Sequence, residues 1–148
     1  MNRLLYVLAA PMILLAVQAA GSVEQMKWSS RQSEADCYIS GLSQKNMINI
    51  FDTKRDSGTA VEFALEILNT LDDMNAVPAR VSIDGLYWNI EGDISIESFF
   101  WPNVPKEFID ALSEGKRLTV AIDRFEPITF SLDGTAKAVS GFSRCYRP

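Results

Sequence analysis

RLTVAIDRFEPITFSLDGTAKAVSGFSRC, residues 117–145, carries the pattern on which the fold reading turns. Leu118, Val120 and Ile122 alternate with Thr119 and Ala121; after Pro127, Ile128, Phe130 and Leu132 alternate with Thr129 and Ser131. An apolar period of two belongs to a strand with one face inward and one face wet. Beyond Asp133, a residue suited to capping a helix, the period changes. Ala138, Phe142 and Cys145 fall at i, i+4 and i+7, the stripe of a short helix. Gly141 weakens such a helix by about 1 kcal/mol relative to alanine, so it must depend on what it packs against. Strand, strand and helix are expected, ending on a cysteine.

The other cysteine, Cys37, lies near the opposite end, and the N-terminus says what the two do together. Met1-Asn2-Arg3, an apolar run from Leu4 to Val17 and then Gln18-Ala19-Ala20-Gly21 have the layout of a secretory signal peptide, with cleavage after Ala19 or Ala20. The run contains Pro11 and stops short of the ~20 residues that span a bilayer. Residues 1–20 are therefore read as a removed signal and 21–148 as a single domain, periplasmic or secreted, with no stable membrane insertion after cleavage. In an oxidising compartment two distant cysteines predict one structural disulfide, Cys37–Cys145. Too few soft ligands remain for a metal site, and nothing resembles Cys-x-x-Cys.

Between the cysteines the strand signals continue. Met26–Ser30, with Trp28 inward, follows a disordered leader at Ser22–Gln25. Cys37–Ser40 runs to Gly41, and Met47–Asp52 leads to a turn cluster at Lys54–Gly58. Thr59–Leu68 alternates as a strand, although Val61, Leu65, Leu68 and Leu71 would also make a helical stripe; its strand neighbours decide for strand. Leu71–Val77 becomes a connection. Arg80–Asp84 and Leu86–Ile90 form a hairpin about Gly85, Glu91-Gly92-Asp93 reads as a turn, and Ile94–Phe99 as a further strand. A helix is expected from Pro105, capped by Asn103, burying Phe108, Ile109 and Leu112 and ended by a left-handed Gly115. The whole predicts a mainly β domain: an antiparallel β-sandwich or strongly bent sheet with two short helices, the last disulfide-linked to an N-terminal strand.

Charge and composition narrow the function classes. The chain carries net charge −5 and no histidine. An acidic domain without a basic stripe lacks the cations that displace counterions from nucleic acid, so none is expected as partner. A protein partner with a basic surface is compatible. The absence of histidine removes Ser-His-Asp and Cys-His nucleophilic systems, leaving carboxylate pairs, Ser-Lys dyads and oxygen-ligated metals. Asp72/Asp73, Glu91/Asp93 and Glu62/Glu66 are the available pairs, the first in a loop, the second in a turn and the third on a wet strand face. Their placement favours a solvated surface over a cleft, and neither an enzyme nor a cofactor is expected. Phe99-Phe100-Trp101 is the best recognition signal, because alternation buries only some of three consecutive aromatics. Trp101 is expected to pack on the helix from Pro105. The possible protein-binding surface is thus Phe99, Phe100 and Trp101 with the acidic turns Asp72, Asp73, Glu91 and Asp93.

From Ala79 onward four segments carry a resemblance: VSIDG (81–85), PKEFIDALSEGK (105–116), RLTVAI (117–122) and FSLDGTAKAVSGFSRC (130–145). Together they resemble the C-terminal part of the invasion-associated locus B family and related small exported proteins of Gram-negative bacteria. The resemblance implies a periplasmic or secreted β-sandwich without a catalytic centre, and it carries over no functional residue. Protein binding is the expected function. The alternatives are an inhibitor or immunity protein against an exported hydrolase and, more distantly, a small carboxylate-pair hydrolase.

Overall fold

Strict alternation of apolar and polar residues resolves into nine strands in the computed structural model, which describes residues 22–33, 36–53, 56–69 and 71–145. The expected signal peptide and Lys54-Arg55 of the expected turn cluster lie outside these residues. The strands are β1 (Lys27–Gln32), β2 (Asp36–Leu42), β3 (Met47–Thr53), β4 (Asp56–Ala64), β5 (Met74–Ile83), β6 (Leu86–Ser95), β7 (Ser98–Trp101), β8 (Arg117–Ile122) and β9 (Ile128–Ser131). Two helices, α1 (Lys106–Glu114) and α2 (Thr135–Cys145), complete the fold. All strands join one antiparallel sheet in the order β1-β2-β3-β4-β7-β6-β5-β8-β9. The mainly β fold with two short helices is as expected, and a single strongly bent sheet is the form it takes.

From β2 through to β9, one face of that sheet is apolar. Ile39, Ile50, Phe63, Phe99, Ile94, Val81, Val120 and Phe130 all point inward and are buried. α1 buries Phe108, Ile109 and Leu112 against this face, and α2 buries Thr135, Ala138, Val139 and Phe142. Phe108 meets Trp88 and Trp101 edge-on, at ring-centroid distances of 5.3 and 5.0 Å. The packing of Trp101 on the helix after Pro105 is therefore as expected. Cys37 on β2 is bonded to Cys145 at the end of α2, with Cα atoms 6.1 Å apart across 108 residues of sequence.

Glu24 brings the two ends of the sheet together. Its N–H donates to the Thr129 carbonyl at 2.8 Å, and its carbonyl accepts from Ser131 N–H at 2.8 Å. Trp28 Nε1 donates to the Ser131 carbonyl at 2.9 Å, tying β1 to β9. The Glu24 carboxylate then accepts from Asn46 Nδ2 and Ser43 Oγ, each at 2.8 Å. Asn46 is buried, and its Oδ1 accepts the Glu66 N–H at 2.9 Å. Ser22–Gln25 is thus part of the closure rather than a free leader. Glu24→Ala would strand buried Asn46 donors, for which a loss of about 1–3 kcal/mol in urea unfolding is expected. A loss below about 0.5 kcal/mol would show that the seam does not hold the sheet.

Several local expectations are corrected. The strand expected over Thr59–Leu68 ends at Ala64, and Glu66–Leu68 turns as a short 3-10 helix, so Glu62 and Glu66 do not share a strand face. The supposed connection over Leu71–Val77 is half strand, because β5 begins at Met74. Glu91-Gly92-Asp93 is no turn but the middle of β6. Gly92 is required there for space: a Cβ would strike the Phe99 ring and the Phe100 carbonyl. The true turn is Ile96-Glu97, inside the expected strand Ile94–Phe99. At α1, Pro105 rather than Asn103 occupies the cap position, and Gly115 is extended (φ −79°, ψ 166°) instead of left-handed. Its lack of a side chain makes room for Ile83. Asp133 is separated from α2 by Gly134, whose φ of 93° turns the chain into the helix.

Candidate functional site

Parity in the strands decides which side chains reach the outer face. With Ile48 and Ile50 inward, Met47, Asn49 and Phe51 must point outward; with Val61 and Phe63 inward, Glu62 does; with Phe99 and Trp101 inward, Phe100 does. Cross-strand register then lines up Ser40, Asn49, Glu62, Phe100 and Asp93 as one row across β2, β3, β4, β7 and β6. Beside it, Phe51 pairs with Tyr38. The three aromatics touch in sequence, Tyr38 to Phe51 at 6.2 Å and Phe51 to Phe100 at 6.1 Å between ring centroids. An aromatic chain therefore crosses the solvent side of the sheet, with Phe100 36% exposed.

Next to it lies an open hollow of about 620 Å³, lined among others by Arg31, Tyr38, Leu42, Met47, Phe51 and Glu62. Its polar groups are held in place by neighbours. Ser40 Oγ donates to Asn49 Oδ1 at 2.8 Å, and Ser98 Oγ donates to Glu62 Oε1 at 2.8 Å. Tyr38 OH donates to Asp36 Oδ2 at 2.9 Å. That bond, with some desolvation and the nearby Asp36 charge, raises the phenol above its ordinary pKa. A half-exposed apolar floor with fixed polar groups around it suits recognition of another surface.

The seven residues singled out in the sequence are scattered by this geometry. Phe100 is on the outer face, whereas Phe99 and Trp101 are buried and packed on Phe63 and Phe108, so they offer nothing to a partner. Asp93 stands opposite Phe100, and its Oδ1 accepts the Ala76 N–H at 3.0 Å. Asp73 lies by the β6–β7 turn, accepting from Ile96 N–H at 3.4 Å, with Asp72 exposed beside it. Glu91, also exposed, pairs with Pro78 on the β5 side of β6, away from Phe100. Asp72, Asp73, Glu91 and Asp93 all face solvent rather than one another across a cleft. Glu66 is paired with Lys45 at 3.7 Å, away from the outer-face row that holds Glu62. Among the described residues no three cysteine or carboxylate groups converge as metal ligands.

Tyr38, Phe51, Leu42 and Met47 were not singled out in the sequence, and Glu62 was considered only as half of a carboxylate pair with Glu66. One signal was legible: Phe51 is an aromatic on the wet parity of a strand whose dry parity is Ile48 and Ile50. No family model, no curated protein and no solved structure matches this chain.

Proposed function

We propose that this chain is a non-enzymatic, exported β domain that binds another protein through the outer face of its sheet. The observation that carries the reading is the continuous Tyr38–Phe51–Phe100 aromatic chain on the solvent side of the sheet, flanked by Glu62 and Asp93. Aromatic side chains bring large rigid contact area, and carboxylates at the edge select a basic partner surface. The Cys37–Cys145 disulfide supports an oxidising compartment, periplasmic or outside the cell. Among the described residues no helix is long and apolar enough to cross a membrane. The likeness of residues 81–145 to the invasion-associated locus B family belongs to the same proposal.

The test is capture of a partner from periplasmic extract by immobilised protein, wild type against Phe100→Asp. Phe100 packs only on the outer face, so the variant is expected to melt within a few degrees of wild type while losing a stoichiometric partner, with binding weakened at least about tenfold. Equal capture by both proteins, or none by either, would sink the reading. Should the partner be a cationic hydrolase that is silenced on stoichiometric addition, the role is that of an inhibitor.

A further inference from the structure

Two of the hairpins in this sheet close through two-residue turns in which both central residues have positive φ. At β5–β6 these are Asp84 (φ 45°) and Gly85 (φ 91°), the residue pair such a turn favours. At β6–β7 they are Ile96 (φ 44°) and Glu97 (φ 68°). A β-branched residue is disfavoured in the left-handed region, because its Cβ substituents crowd the backbone. Burial does not explain Ile96 either, since it is 85% exposed, more than any other large apolar side chain described. The chain therefore holds an isoleucine where both backbone preference and solvent oppose it. Strained residues of this kind gather at functional positions.

The surroundings of Ile96 say what it would meet. Asp73 reaches the Ile96 N–H, and the neighbouring Met74 is 37% exposed. The Glu97 carbonyl accepts the Leu65 N–H, and Ile67, two residues further on, is 38% exposed. Apolar side chains thus stand on the segments that meet the turn. Residues 64–77 and 91–100 contain Glu66, Asp72, Asp73, Glu91, Asp93 and Glu97 and no lysine or arginine. Lys45 approaches from the β2–β3 turn and is paired with Glu66. The segments that meet the turn thus carry exposed apolar side chains, and Asp73 and Glu97 put negative charge at the turn itself.

We infer that the β6–β7 turn is a second docking surface, with Ile96 as its central contact, for a partner that presents an apolar strip bordered by lysine or arginine. One face of a basic amphipathic helix has that chemistry. The inference stands apart from the outer-face reading, because a Phe100→Asp chain retains Ile96, Asp73 and Glu97.

The test uses the intact, disulfide-bonded protein and two measurements. The first is thermal melting of Ile96→Asn. Asparagine tolerates the left-handed region, so the variant is expected to melt roughly 3–6 °C higher than wild type. A lower melting temperature would mean that folding itself holds isoleucine there, and the inference would fall. The second is titration with short helical peptides carrying lysine on one face and leucine on the other, against lysine–alanine peptides of equal charge. Wild type is expected to prefer the leucine peptides, Ile96→Asn to bind them about tenfold more weakly, and Asp73→Asn with Glu97→Gln to flatten the salt dependence. Equal binding by wild type and Ile96→Asn, or no binding by wild type, overturns the inference. So does concentration-dependent self-association that Ile96→Asn abolishes, which would assign the turn to a second copy of this chain.

Discussion

Replacing Cys37 or Cys145 with serine is expected to lower the melting temperature by roughly 10–20 °C, the largest effect of any single change in this protein. The bond joins residues 108 apart in sequence, so it removes a large closed loop from the unfolded ensemble. Chain entropy alone puts that contribution at about 4–5 kcal/mol. Its position adds a second reason. α2 packs on β1 and β2 and is weakened internally by Gly141, so tethering its last residue to β2 holds in place a helix of only eleven residues. The two single variants should lose the same amount, and the double variant no more. Additive losses would show that each cysteine contributes separately rather than through their bond. Wild type unfolded under a strong thiol reductant should match the double variant.

Phe108→Ala is expected to cost about 3–5 kcal/mol in urea unfolding, the second large effect. Phe108 is fully buried and is the element through which α1 grips the sheet, edge-on to Trp88 of β6 and Trp101 of β7. Truncation would leave a cavity lined by two indoles that strands cannot close, because both are fixed in the sheet ladder. Trp101 fluorescence and Trp88 fluorescence should shift to longer wavelength as water enters. A cost below about 1 kcal/mol would mean that α1 is held by its ends instead. Phe108→Leu should recover much of the loss, since it refills most of the volume.

The contrast between these two sites and the outer face shows how far local sequence carries an argument. Phe108, Ile109 and Leu112 are spaced as one helical face, and Leu118, Val120 and Ile122 as one strand face; both patterns are local, and both are observed. The bend that lets the sheet wrap its own core needs contacts that no local pattern encodes. Glu24 meets Thr129 and Ser131 more than a hundred residues away, and the mostly polar Ser22–Gln25 reads as a leader until that pairing is seen. Turns went astray for a related reason. Gly92 has the composition of a turn but serves to admit the Phe99 ring, whereas Ile96-Glu97 has the composition of a strand but forms the turn.

The candidate site divides in the same way. Phe99-Phe100-Trp101 announces itself as a recognition stretch, yet strand parity leaves only Phe100 for solvent. The residues that join it, Tyr38 and Phe51, come from strands distant in sequence and become neighbours through the β2–β3–β4–β7 register. Period-two and period-3.6 patterns and the lack of histidine were determined by the sequence alone, because each depends on a residue's own chemistry and its near neighbours. The cysteine pair was legible because the chain has only two cysteines. Strand order, the closure at Glu24, the aromatic chain across the outer face and the exposed Ile96 were decided by the tertiary structure. They depend on which distant backbone groups satisfy one another's hydrogen bonds, and only the folded sheet specifies that.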